Sequence, residues 1–350
     1  MNIKKITALL LCLILAFSSV SCSVAPKEPK TQARSYYEYF DTVSVIFSYA
    51  GDSEAEFAAN CEAASALLGE YHELFDIYYE YAGVNNLMTV NKNAGIAPVP
   101  VDERLIDFLL YAKEMHALTK GAVNVAMGAV LRLWHDARED ASDDPENAYI
   151  PSAQDLAEAA NHTDIDKLII DREAGTVYLE DPEMSLDVGA LGKGYATEKA
   201  AQLLMERGAV SYVLNIGGNI RAMGEKVTGE GWTTGITNPD KSSDESFVCR
   251  VVIKDSSLVT SGNYERFYTV DGKRYHHIID PATNMPAEYF SSISVFTRDS
   301  GLADALSTAL FCMSYEDGAR LIDSLEGVDA LWVSHDGSLK FTQGVVFVTQ

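Results

Sequence analysis

The feature that most limits the fold is a carboxylate placed where water should not reach. Residues 302–313 read LADALSTALFCM, a helical stretch in which Asp304 is the only carboxylate. Asp304 and Thr308 are one turn apart, so their oxygens share one helix face, and the residues around them are Ala and Leu. That face is therefore buried, and a buried carboxylate needs a partner. Two readings stay open at this point. Asp304 caps or back-bonds within its own helix, or carboxylate and hydroxyl together offer oxygen ligands to a hard cation. Any fold of this chain has to bury the helix and satisfy the carboxylate.

A long amphipathic helix is the next constraint. Phe57, Cys61, Ala64, Leu68, Tyr71, Phe75 and Tyr78 recur at alternating spacings of four and three. They draw one apolar face on a helix capped at Asp52 or Ser53. Leu105, Phe108, Leu109, Ala112 and Met115 mark a second helix, and 195–208 and 315–325 two more. Ser152 and Asp155 form a helix-start capping pattern. Strands are predicted over 40–49, 168–170, 176–179, 212–215, 249–253, 266–270, 275–279, 328–334 and 338–341. Asp271-Gly272 and Asp336-Gly337 supply hairpin turns. Residues 135–148 hold six acids and one Arg and read as a solvated loop. With no repeat and no composition break after residue 34, the pattern predicts α+β architecture. One large domain, residues 35–350, mixes antiparallel sheets with helices.

The N-terminus precedes that domain. Lys4 and Lys5 form a positive region, and residues 6–17 are an apolar stretch of 12, too short to cross a bilayer and suited to a signal peptide. Ser18, Ser19 and Ser21 precede Cys22. Small residues followed by Cys resemble a bacterial lipobox, with Ser19 where Leu is usual. The resemblance implies removal of the signal peptide, residues 1–21, and lipidation of Cys22. Residues 22–34 then act as a flexible tether on the extracytoplasmic face of the cell membrane. A plain secretory signal is the alternative. The other cysteines, Cys61, Cys249 and Cys312, are far apart and odd in number, which speaks against a disulfide framework or a zinc site.

Charge narrows the choice of ligand. The chain has 27 Lys and Arg against 51 Asp and Glu, a net charge of −24. That balance argues against nucleic acid as a partner. An acidic protein that handles phosphate needs a metal ion or focused backbone dipoles. Three glycines, Gly189, Gly192 and Gly194, lie within six residues before a predicted helix, where a backbone can approach phosphate. The same run also serves as an ordinary structural turn, and it matches neither common nucleotide-binding motif. Gly217-Gly218 after a strand reads as a tight bulge or a site. His276 and His277 point to opposite faces of a strand, so one at most faces a given site.

Taken together, these segments resemble the ApbE family, the FAD:protein FMN transferases, in its bacterial lipoprotein form. The resemblance runs from about Tyr36 to about Leu325. It rests on LDVGALGKGYA (186–196), VLNIGGN (213–219), TSGNYERF (260–267) with HHIIDPATNMP (276–286), and ADALSTAL (303–310). The resemblance implies a flavin site of Phe40, Tyr78, Ala122, Val123, Asn124, Asp187, Lys193 and Ile278. It places His277 near the reacting diphosphate, as the candidate base. It gives a magnesium site to Asp304, Thr308 and the Ala190 carbonyl. Mg²⁺ would then neutralise the FAD diphosphate that an acidic protein repels. The implied reaction is attack by a target-protein Thr hydroxyl on the FMN-side phosphorus, with AMP leaving. The implied partners are flavin-acceptor subunits of membrane or secreted redox systems. Three residues depart from the family pattern: Asn124 stands where Asp is common, Phe40 where Met is frequent, and Asn219 where an acid often follows the double Gly.

Two further readings compete with transfer. A surface lipoprotein could hold flavin without turnover, or a pyrophosphatase could split FAD into FMN and AMP with water in place of Thr. The intact Asp304 and Thr308 favour an enzyme. The anchor is testable on its own. Cys22→Ala is expected to move the protein from the membrane fraction to the soluble fraction of fractionated cells. A variant that stays membrane-bound excludes lipidation at this position.

Overall fold

Strand alternation feeds two cores on either side of one sheet. The computed structural model describes residues 31–348, so Cys22 and the expected signal segment 1–21 lie outside the described residues. Eight strands form the sheet: β1 (Gln32–Tyr36), β2 (Ser44–Ser48), β3 (Tyr212–Ile216), β4 (Asn219–Met223), β7 (Ser256–Gly262), β8 (Ser292–Thr297), β9 (Asp329–Val333) and β10 (Leu339–Phe341). They lie in the order β1-β2-β3-β4-β7-β8-β9-β10, every neighbour antiparallel. β5 (Trp232–Thr237) and β6 (Phe247–Ile253) form a separate hairpin.

The helices are α1 (Glu54–Phe75), α2 (Leu87–Lys92), α3 (Glu103–Leu118), α4 (Gly128–Asp143), α5 (Ala153–Ala160), α6 (Gly192–Glu206), α7 (Ser300–Phe311) and α8 (Tyr315–Asp323). One sheet face carries Ile46, Tyr212, Leu214 and Ile216 into a core with α1, α3 and α6. Ile293, Val295, Ala330 and Trp332 meet α7 and α8 on that side. On the opposite face Val213, Ala222, Leu258, Phe296 and Leu331 pack under the β5–β6 hairpin through Ile236, Val251 and Ile253. With both faces covered, β8 is buried at all six positions.

Most predicted elements are present, and the departures have local causes. The helix predicted from Phe57 is capped by Ser53, which forms a capping box with Glu56, and begins at Glu54. It stops before Tyr78, because Asp76 Oδ1 accepts from the N–H groups of Tyr78 and Tyr79 and turns the chain. The strand predicted from residue 40 begins only at Ser44. Phe40 and Asp41 are left-handed, at φ 56° and 50°, and make a turn. The acidic run from 135 is no loop up to Asp143. It is the outer face of α4, whose Val130, Trp134, Ala137 and Ala141 are buried at helical spacing. The strand predicted over 275–279 breaks after His276. Gly217 and Gly218 make no bulge but a two-residue hairpin turn between β3 and β4, with φ 57° and 92°. Residues 32–34, expected in the tether, pair with β2 instead.

The contact that fixes the site is between α6 and α7. A Cβ on Gly194 would lie 2.4 Å from Asp304 Cβ and 2.4 Å from the Ser300 carbonyl oxygen. Only glycine allows the helices to approach this closely. Gly194→Ala is expected to destabilise the protein by about 1–3 kcal/mol, the usual cost of overpacking a core. Urea denaturation measures this; an unchanged midpoint and slope would show that the helices separate freely.

Candidate active site

A cleft of about 1090 Å³ opens where the β3–β4 turn, the start of α6 and one face of α7 converge. All twelve residues for which the family resemblance implies flavin, metal or base roles line it: Phe40, Tyr78, Ala122, Val123, Asn124, Asp187, Ala190, Lys193, His277, Ile278, Asp304 and Thr308.

Asp304 is 5% exposed. Its carboxylate does not bond within its own helix. Oδ2 accepts from the Gly194 N–H at 2.7 Å and so caps α6 from outside. The cap of α7 is Asp299, which accepts from Leu302 N at 2.9 Å. Burial pushes the Asp304 carboxyl up to about 6, against the opposing pull of Lys193 and the Gly194 N–H. Beside it is a row of hydroxyls. Ser261 on β7 lies 2.8 Å from Ser307 and 3.5 Å from Thr308, oxygen to oxygen. The carboxylate and these hydroxyls set a group of oxygen atoms on this part of the wall, with Ala190 and Lys193 also lining the cleft. Among the described residues there is no group of three or more His, Cys, Asp or Glu that could hold a metal.

His277 occupies the next part of the wall. Its Nδ1 lies 3.2 Å from the Arg266 carbonyl oxygen, and a carbonyl only accepts, so Nδ1 carries the proton and Nε2 keeps its lone pair. Burial, with the nearby charges of Lys193 and Arg266, holds the ring down at about 3, so it is neutral at ordinary pH. His276 turns the other way, its Nε2 donating to the Ala287 carbonyl at 2.9 Å. Asp187 accepts from the Gly189 N–H at 2.9 Å, and burial raises its carboxyl.

The far end is aromatic. Phe40 stands edge-on to His72, ring centres 5.6 Å apart, and its N–H donates to His72 Nδ1 at 3.3 Å. Tyr78 lies over His135 at 5.3 Å. Arg138 Nη2 donates to His135 Nδ1 at 2.9 Å. Val123 N–H donates to Thr119 Oγ1 at 3.1 Å, which fixes the 122–124 turn. Ile278 is buried, its carbonyl accepting from Ala287 N at 3.0 Å.

The profile of the ApbE family matches residues 41–332. The chain belongs to the ApbE family. A curated FAD:protein FMN transferase of Treponema pallidum is 36% identical over 276 residues, covering 74% of each chain. One from Klebsiella pneumoniae is 30% identical over 274 residues, covering 77% of this chain and 82% of its own. The crystal structure of the ApbE protein from Thermotoga maritima superposes with a TM-score of 0.77 at 26% identity, covering 90% of this chain and 97% of that one.

Two departures from the ApbE pattern have a physical account here. Asn124 Nδ2 donates to the Thr163 carbonyl at 2.8 Å while its Oδ1 accepts from Ala126 N at 2.9 Å. Asn219 Nδ2 donates to the Ile216 carbonyl at 3.3 Å. An ionised carboxylate at either place could not donate. Phe40 in place of Met has no such bond to explain it. The sequence reading also missed cleft residues, among them His72, Arg138, Tyr264 and Arg266. Arg138 lay in the stretch read as a loop; the spacing of Val130, Trp134, Ala137 and Ala141 was the available signal.

The raised Asp304 carboxyl makes a stability prediction. Its folded value of about 6 exceeds the ordinary 3.8, so ionisation opposes folding. Well below 3.8 the group is neutral folded and unfolded alike. Above 6 the folded state bears the whole cost, about 3 kcal/mol. Without divalent cations, Asp304→Asn should therefore raise Tm by several degrees at pH 8, and the difference should shrink towards zero by pH 4. Calorimetry across that range checks it. A lower Tm at pH 8 would mean that the charge supports the fold.

Proposed function

We propose that this chain is an FAD:protein FMN transferase, moving FMN from FAD to a Thr hydroxyl of a target protein and releasing AMP, with Mg²⁺ held at Asp304. The observation that carries the reading is the convergence of Asp304, Thr308, Lys193 and His277 on one cleft. The residues fit a hard cation. Asp304 is buried, its carboxyl is raised by desolvation, and its one side-chain hydrogen bond is to a backbone N–H. A carboxylate in that state gains from a positive charge. Thr308 and the Ala190 carbonyl add oxygen donors, the class that Mg²⁺ prefers. When bound, Mg²⁺ neutralises charge on the FAD diphosphate.

The chain's own residues do the rest. The aromatic end, with Phe40 and Tyr78, takes the isoalloxazine, and the 122–124 turn, Asp187 and Ile278 enclose the flavin side. Lys193 faces the diphosphate. The acceptor hydroxyl attacks the FMN-side phosphorus. An O–P bond forms to the Thr oxygen, the bond from that phosphorus to the bridging oxygen breaks, and AMP leaves with that oxygen. His277 Nε2 takes the hydroxyl proton. Burial first, and the repulsion of its protonated form by Lys193 and Arg266 second, keep its basicity low. A diphosphate beside those two cations offsets their repulsion and makes the imidazole a better base.

The acceptors in this reading are subunits of membrane or secreted redox systems. The lipid on Cys22 keeps the enzyme on the extracytoplasmic face beside them, a placement supported by the short apolar segment and the small residues before Cys22. Among the described residues no helix is long and apolar enough to cross a membrane.

The test is incubation with FAD, Mg²⁺ and a candidate acceptor domain, followed by acceptor mass and free FMN. Transfer adds one FMN to the acceptor. Free FMN without acceptor modification identifies a pyrophosphatase instead, and bound, unchanged FAD a carrier. Asp304→Asn should lower transfer about 100-fold or more, as for loss of a main electrostatic stabiliser, and excess Mg²⁺ should restore part of it. A folded variant with the wild-type rate at low Mg²⁺ rules the metal site out.

A further inference from the structure

Helices α6 and α7 cap each other. Asp304, one turn into α7, accepts from the Gly194 N–H in the first turn of α6 at 2.7 Å. Glu198, one turn further along α6, accepts from the Ser300 N–H at the start of α7 through Oε2, at 3.0 Å. Residues 194 and 198 are one turn apart, as are 300 and 304, so the two bonds form antiparallel rungs between the helices. Apolar packing holds α7 against the sheet but does not by itself specify a register. Two bonds a turn apart fix both its rotation and its slide.

Glu198 is 7% exposed and does not line the cleft. Its Oε2 also takes the Nε–H of Arg221, itself 2% exposed, at 3.1 Å, and Oε1 takes Gln202 Nε2 at 3.2 Å. Arg221 continues to the Ala222 carbonyl at 2.5 Å and to Asp255 at 3.4 Å. The carboxylate is thus held on every side, and the rung it supplies is a rigid one.

We propose that Glu198 is a positioning residue for Asp304: by capping α7 it sets the register in which the Asp304 carboxylate meets the cleft. The metal part of this inference rests on the proposed Mg²⁺ site. Truncating Glu198 leaves the buried Ser300 N–H without its acceptor and removes the rung to α6, so that the Asp299 cap and core packing alone set where the start of α7 lies. Metal sites tolerate displacements of only about 0.5 Å in their ligands.

The test uses the full chain and three variants. Mn²⁺ binding to the protein alone is followed by electron paramagnetic resonance, with Tm and the Mg²⁺ dependence of FMN transfer measured in parallel. Glu198→Ala should weaken Mn²⁺ binding about 10-fold or more, the scale for losing a residue that orients a ligand, and raise the Mg²⁺ needed for half-maximal transfer similarly. Glu198→Gln, whose amide oxygen can still accept from Ser300, should restore most of the affinity. Arg221→Met breaks the ion pair but leaves the rung, and should lower Tm without changing Mn²⁺ affinity. If Glu198→Ala fails to fold, Glu198→Met, which keeps the bulk of the side chain and removes the acceptor from Ser300, replaces it. Wild-type affinity in the folded truncation variant, or an Arg221→Met loss as large as its own, overturns the positioning role. A wild-type protein that binds no Mn²⁺ overturns the metal reading and this inference with it. Mn²⁺ binding that responds to Glu198→Ala in a protein without transfer activity upholds the positioning and removes only the transferase reading.

Discussion

The missing side chain at Gly194 sets the geometry of the whole site. Because nothing but hydrogen separates the first turn of α6 from α7, a carboxylate from one helix can reach the N–H groups at the start of the other. Helix starts carry unpaired N–H groups and a partial positive charge. That end is a favourable place to keep an anionic side chain out of water. Lys193 extends from the same turn and lies on the same cleft. The α6–α7 crossing therefore solves two problems together: it satisfies a carboxylate inside an Ala- and Leu-rich helix, and it aims that carboxylate at a cavity. The sheet behind it supplies the rest. β7 brings Ser261 against Ser307 and Thr308, and the tight Gly217-Gly218 turn ends β3 close enough to Thr42 that a Cβ on Gly217 would lie 2.6 Å from Thr42 Cγ2.

Much of this was legible from residue types and spacing. The demand that Asp304 find a partner was visible in LADALSTAL; that the partner would be a second helix, and not its own, was not. The local sequence cannot show which other segment comes near. The seven-residue apolar ladder found α1 but overran it, because Tyr78 keeps the helical spacing while Asp76 diverts the backbone. The acidic run at 135–143 misled for the opposite reason. Charge density hid a narrow apolar stripe, although Ala137 and Ala141 carry the period.

Strands β7 and β8 escaped notice because they lack the usual cues. SSLVTSG and SISVFT are rich in serine, and β8 is buried on both faces, so neither shows the apolar-polar alternation that marks a half-buried strand. Their serines and threonines pair with one another across the sheet and with α7, as Thr260 with Ser294 at 2.7 Å and Ser261 with Ser307 at 2.8 Å. The cleft residues assigned from family motifs all lie on its wall. Those missed, such as His72 and Arg266, sit in segments that were recognised, a helix and a motif, but nothing in the local sequence shows that these side chains turn towards the cleft.

The cleft wall carries five carboxylates, on Asp41, Asp76, Asp187, Glu265 and Asp304, against the cations of Arg138, Lys193 and Arg266. Set within a chain of net charge −24, this is a mouth that repels anions at long range and gathers cations. Such a field acts on encounter more than on the final complex. A divalent cation is steered inward, while a free dinucleotide approaches uphill until the ion or added salt screens it. With a Debye length near 10 Å at 0.1 M salt, raising ionic strength shortens the reach of that barrier and leaves the short contacts inside largely intact. Under the proposed function, such a field would order entry, with the cation, or the nucleotide already carrying it, ahead of the bare anion.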